Sequence, residues 1–137
     1  MSTEQNKAVV RRWLMEVMSG GNLALADELL APDYKNSLTG FDRAGVKGML
    51  TGMRNGAPDL RIDLENMVAE GDVVMTRFTM QGTHTGSMMG ESPTGKKFSV
   101  RGLCYYRLTD GKIVDDEPIT TPDLIHELGI QMPQASS

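Results

Sequence analysis

The stretch FSVRGLCYYRLTDGKIVDDEPIT, Phe98 to Thr120, decides the fold. Phe98, Val100, Gly102, Cys104, Tyr106 and Leu108 fall on one face of an alternating pattern, the period of a strand with one side packed and the other wet. Asp110-Gly111 follows, a dipeptide suited to a two-residue hairpin turn, and Lys112 to Thr120 returns as a second strand.

Upstream the period of two continues. Leu60, Ile62 and Leu64 alternate with Arg61, Asp63 and Glu65, Glu70-Gly71-Asp72 makes a turn, and Val73 to Thr83 makes another strand. Residues 84–95 hold Gly86, Gly90, Pro93 and Gly95, so they read as a loop. Before Leu60 the spacing is helical. Val9, Val10, Trp13, Leu14 and Val17 form one stripe, with Thr3 as N-cap and Gly20-Gly21 as stop. Asn22 caps a second short helix that Pro32 closes, and residues 31–41 form a loop. Asp42 caps a third helix carrying Val46, Met49, Leu50 and Met53, which ends at Asn55-Gly56-Ala57-Pro58. Pro122 opens a last short helix through Leu128, ended by Gly129, and residues 131–137 fray. Helices first and a meander afterwards predict an α+β domain, with helices on one face of an antiparallel sheet. Without repeats, linker or composition shift, residues 1–137 are expected to be one domain.

Composition narrows the partners. The net charge is −4, and basic residues occur singly or as the pairs Arg11-Arg12 and Lys96-Lys97, so no stripe awaits phosphates and no nucleic-acid partner is expected. No apolar run matches a signal peptide or the ~20 residues needed to span a bilayer, which predicts a cytoplasmic protein with no membrane partner. Cys104 is the single cysteine and the histidines are His84 and His126, so neither an internal disulfide nor a zinc site is expected. Methionine is abundant at eleven residues, and its flexible thioether suits either core filling or an adaptable pocket wall.

The segment GTHTGSMMGESPTGKKF, Gly82 to Phe98, resembles the central signature of the SnoaL-like polyketide cyclases: GTHTG, an apolar pair and Gly, then PPTGK and a strand. Tyr106 to Val114 resembles the next block of that family, an aromatic-arginine strand running into a DGKI hairpin, and Pro32-Asp33-Tyr34 resembles its N-terminal Pro-Asp-Tyr. The resemblance covers nearly the whole chain. It implies the cone-shaped fold shared with nuclear transport factor two and ketosteroid isomerase, in which a bent sheet and a few helices enclose one apolar pocket. It also implies work without metal or cofactor, on an apolar small molecule, and a homodimer formed on the outer sheet face. The best-known members close a ring by intramolecular aldol condensation, and others are hydroxylases.

Such a closure needs a base for a proton alpha to a carbonyl and a donor for the enolate oxygen. If the face of Phe98 and Tyr106 lines the pocket, alternation turns Asp116 inward with Val114 and Pro118, leaving Ile113, Asp115 and Glu117 outward. Asp116 is therefore the expected acid/base, with His84 and Tyr106 as helpers. His84 has a second reading, in which it organises the glycine-rich turn. Trp13, Tyr34, Met49, Met53, Met88, Met89, Cys104 and Pro118 are the expected substrate contacts. An ungapped match to the family puts Asp116 where cyclases carry His, Pro118 where they carry Asp, and Cys104 where they carry another His. Three functions follow as expectations: a cofactor-independent acid/base enzyme (aldol cyclisation or isomerisation), a non-catalytic ligand-binding or dimerisation domain, or a cofactor-free hydroxylase of an aromatic polyketide.

Overall fold

The computed structural model describes residues 2–88, 90–121 and 128–129. Its first helix, α1 (Thr3–Arg12), is capped one residue earlier than the sequence suggests. Ser2 Oγ accepts from Gln5 N, while Gln5 Oε1 accepts from Ser2 N, a reciprocal box that Thr3 cannot make. Over Trp13–Ser19 the helix widens into π-type turns, which bury Trp13, Leu14 and Val17 together. A 3-10 turn at Leu23–Leu25 leads into the short α2 (Ala26–Leu29); Asn22 precedes it but its side chain makes no capping bond. The third helix, α3 (Arg43–Gly56), begins as expected, with Asp42 accepting from Gly45 N at 2.9 Å.

Four strands follow: β1 (Arg61–Glu70), β2 (Val73–Thr83), β3 (Lys97–Thr109) and β4 (Lys112–Thr121), antiparallel in the order β1-β2-β3-β4. Asp110 and Gly111 take φ of 51° and 75°, which the primed turn between β3 and β4 demands. The inward row of β3, from Phe98 and Val100 to Cys104, Tyr106 and Leu108, is buried against Val10, Trp13, Leu14 and Leu50 from the helices. At roughly 1.5–3 kcal/mol for each large side chain removed from water, this layer-on-layer contact is the main source of stability. Gly102 interrupts the row for a reason. Phe78, its register partner on β2, lies so close that a Cβ at Gly102 would sit 2.5 Å from the ring.

Two bulges bend the sheet, at Glu65 in β1 and at Val114 in β4. The second corrects the simple alternation read from the sequence. Leu108 pairs with Ile113, Arg107 with Asp115 and Tyr106 with Asp116, so Val114 is the extra residue. Ile113 is consequently fully buried rather than outward, and Asp116 still faces inward. Alongside this hairpin, Leu30 bridges Ile113 in parallel, Ala31 N donates to Ile113 O, and Lys35 N donates to Val114 O. Residues 122–127 of the expected last helix and the tail of 131–137 lie outside the described residues, as do Met89 and His126.

Candidate functional site

Between the helices and the inner sheet face lies a cavity of about 100 Å³. Its back wall is Trp13, Leu14 and Met18 from the π-turn, Leu50 from α3, and Phe78, Cys104 and Tyr106 from the sheet. The front is the loop after Tyr34, with Asn36, Leu38, Thr39 and Phe41, and Met49 and Pro118 flank it. Among the described residues, Asp116 is the one acidic or basic side chain on this wall.

Asp116 is half-buried and held from one side only. The Tyr34 hydroxyl and Asn36 Nδ2 both donate to its Oδ1, the latter at 3.1 Å. Its Oδ2 has no hydrogen-bond partner among the described residues. Burial raises the carboxyl above the usual Asp range, and the nearby Asp115 adds to the rise, while the bonds from Tyr34 and Asn36 hold it down. Desolvation is the largest of these influences, so the carboxyl is a better base than an exposed aspartate. Burial and the Asp116 carboxylate push the Tyr34 phenol well above the ordinary range, and burial does the same to Tyr106 and the Cys104 thiol. All three therefore keep their protons at neutral pH, and each phenol can serve as a donor.

The front loop is fastened by the same residues. Asn36 Oδ1 accepts from Leu38 N and Thr39 N, each at 2.9 Å, and Asn36 N donates to Phe41 O. Ser37 N donates to Asp115 Oδ1 and Ser37 Oγ to Glu117. Three successive acidic residues of β4 thus grip one loop, and the middle one also faces the cavity.

Of the residues singled out from the sequence, Asp116, Tyr106, Trp13, Tyr34, Met49, Cys104 and Pro118 converge on this cavity. His84, Met53 and Met88 do not line it. His84 is fully buried in the glycine-rich loop, where Thr94 N donates to its Nδ1 and Gly95 N to its carbonyl, so it organises that turn. Met88 packs against Gly56 at the end of α3, and Met53 is partly buried against the core. Met89 lies outside the described residues. Sequence reasoning missed Asn36, Leu38, Thr39 and Phe41. Asn36 carries the available signal, an Asx residue two positions after Tyr34 and four before Gly40, which is the composition of a side-chain-capped turn.

No group of three His, Cys, Asp or Glu side chains among the described residues could hold a metal ion. No helix among them is long and apolar enough to cross a membrane.

A search of curated proteins found no match. Solved structures share the fold throughout. TsrD from Streptomyces laurentii superposes with a TM-score of 0.84 at 21% identity, covering 96% of this chain and 99% of that one. AclR from Streptomyces galilaeus, provisionally described as a hydroxylase, gives 0.80 at 26% identity, covering 93% and 98%. IdmH from Streptomyces antibioticus, provisionally described as a polyketide cyclase, gives 0.76 at 28% identity, covering 92% and 99%. The family model described as "SnoaL-like polyketide cyclase" matches residues 8–120, so this chain belongs to the SnoaL-like polyketide cyclase family.

Proposed function

We propose that the chain is a cofactor-independent acid/base enzyme acting on an apolar, carbonyl-bearing small molecule. The observation that carries this reading is Asp116, an aspartate in an apolar cavity whose Oδ1 is held by two donors and whose Oδ2 is left for a ligand. Oδ2 takes a proton from the carbon alpha to the carbonyl, and the C–H electron pair moves onto the carbonyl oxygen as an enolate. Tyr106, the cross-strand partner of Asp116, donates a hydrogen bond to that oxygen. The enolate then attacks an internal carbonyl to close a ring, the resulting alkoxide taking the proton back from Asp116, or the enolate recovers that proton at another carbon in an isomerisation. Tyr34 is engaged by Oδ1, so its part is to hold the carboxylate and moderate its basicity. His84 is proposed only as a support for the glycine-rich loop.

Deuterium exchange tests the first step without knowledge of the natural substrate. Phenylacetone in D2O should lose its benzylic protons in the presence of wild-type protein. Asp116→Asn should slow this by about 10²–10⁴-fold. Equal exchange by the two proteins would remove the proposal.

The similarity to AclR supports a second reading, oxygen insertion into an electron-rich aromatic substrate that itself activates oxygen. Product formation that stops when dissolved oxygen is removed would favour it over proton transfer. We also propose a homodimer through the outer sheet face, where Val68, Leu103 and Ile119 are 57%, 51% and 71% exposed. Sedimentation equilibrium of wild type and Leu103→Glu checks this, with a monomeric wild type as the contrary result.

A further inference from the structure

Residues 36–41 differ from the rest of the cavity wall in how they are held. Leu38, Thr39 and Phe41 line the cavity on one side and are exposed on the other. Met49 and Pro118 are exposed lining residues too, but they belong to α3 and β4, whose backbone bonds fix them. Internally the strip is well tied. Asn36 N donates to Phe41 O, Leu38 N and Thr39 N to Asn36 Oδ1, Gly40 N to Asn36 O, and Phe41 N to Thr39 Oγ1. The sixth N–H, that of Ser37, reaches Asp115 instead.

Its ties to the sheet are three, and each ends on a carboxylate of β4. Ser37 N donates to Asp115, Ser37 Oγ to Glu117, and Asn36 Nδ2 to Asp116. Both Ser37 bonds are exposed, so water competes for them. At the far end Phe41 packs on the first turn of α3, where a Cβ added to Gly45 would lie 3.0 Å from Phe41 Cβ. A closed cavity of about 100 Å³ is below the roughly 150 Å³ of an apolar cavity that takes benzene, so a ring compound enters only if part of the wall moves. Trp13, Leu14, Leu50, Phe78 and Tyr106 are each at most 5% exposed and stand on helices and strands, so moving them would disrupt the core. Releasing residues 36–41 breaks three bonds to carboxylates and leaves the internal ones intact.

We infer that residues 36–41 swing as one rigid flap, latched to β4 by Ser37 and Asn36 and packed at Phe41, and that this flap is the gate through which small molecules reach the cavity. Asn36 Nδ2 travels with the flap, whereas Tyr34 stays behind, buried and with its N–H on Ala31 O. Opening therefore strips one of two donors from Asp116 and closing restores it, so admission and positioning of the carboxylate are one event. That the admitted molecule is a substrate rests on the proposed function; the gate rests on the bonding pattern alone.

Cys104 supplies the test, since it is the chain's one cysteine, 2% exposed and on the cavity's back wall. Its alkylation by iodoacetamide in the full chain, followed by intact mass at neutral pH, counts openings. Ser37→Ala and Glu117→Ala should each speed labelling about three- to tenfold, and the double variant no further, because both remove the same bond. Asp59→Ala loses two hydrogen bonds to Thr83, at the other end of β2, and should leave the rate unchanged. No acceleration in either latch variant, equal acceleration in Asp59→Ala, or a double variant that multiplies the single effects would each overturn the gate. Amide exchange by NMR checks its rigidity. In Glu117→Ala the Ser37 N–H should exchange faster while the Gly40 N–H keeps its rate, and equal acceleration of both would mean local melting, not a flap. Neither measurement uses a substrate. Labelling that follows the latch in a protein inert toward phenylacetone removes the enzyme and keeps the gate, and phenylacetone exchange with labelling indifferent to the latch does the reverse.

Discussion

Ile113 and Asp116 point to the same side of the sheet although they are three residues apart, because Val114 between them is a bulge. Regular alternation would send two residues three apart to opposite faces. The extra residue lets a core anchor and a site carboxylate share one short strand, and it leaves Asp115 outward opposite Arg107. Asp115→Asn should therefore change phenylacetone exchange by less than about threefold, against the 10²–10⁴-fold loss in Asp116→Asn. Parallel exchange assays on the two variants read the difference directly, and similar losses in both would show that the bulge does not separate their roles.

The raised Asp116 carboxyl has a signature in stability. Its folded value lies above its unfolded one, so between the two the native state binds more protons than the unfolded chain, and stability falls as pH rises through that window. Below the unfolded value, at about pH 4, the effect is absent. Asp116→Asn cannot titrate, and its Oδ1 can still accept from Tyr34. Urea denaturation of the pair should show the variant gaining on wild type as pH rises from about 4 towards neutrality. A constant difference across that range would contradict the desolvated carboxylate.

Tyr34→Phe and Asn36→Ala each remove a donor to Oδ1 and should raise the Asp116 carboxyl further, since both bonds hold it down. Carboxyl NMR titration checks the direction. The costs should differ. Tyr34→Phe should lose about 1–2 kcal/mol, whereas Asn36→Ala should lose more, about 2–3 kcal/mol, because Leu38 N and Thr39 N also lose their acceptor.

Gly102→Ala should act on the site at a distance from Asp116. The new Cβ, 2.5 Å from the Phe78 ring, would force that ring toward the cavity. A stability loss of about 1–3 kcal/mol and weaker phenylacetone binding are expected. Phe78→Leu in the same chain should recover part of the stability. Failure of the second change to help would mean that the glycine serves the backbone instead.

The fold was legible because its signals are local and repeated. The alternation of β3, the Asp110-Gly111 turn and the Asp42 cap all name their elements without reference to anything distant. Asp116 was legible through parity on β4, although the bulge at Val114 made Ile113 inward as well, and nothing in the residue type announces a bulge. The front loop was not legible. Asn36 reaches Asp116 across eighty residues, and no periodicity spans that separation. The family resemblance at His84 and the apolar character of Met88 both point to the pocket, but the glycine-rich loop folds back on α3 instead, with Thr85 N and Gly86 N both donating to Gly56 O.

Finally, among the described residues β4 ends the sheet, and an end strand offers unpaired backbone groups to any other chain that can align with them. Here Leu30 to Lys35 covers that rim at Ile113 and Val114, and beyond it lie the outward acids Asp115 and Glu117 and then Pro118, which has no N–H. A second copy trying to extend the sheet would bring acid against acid and meet a missing donor. The run that supplies the site with its carboxylate thus also carries, in Asp115, Glu117 and Pro118, the kind of residues that oppose pairing at a sheet edge.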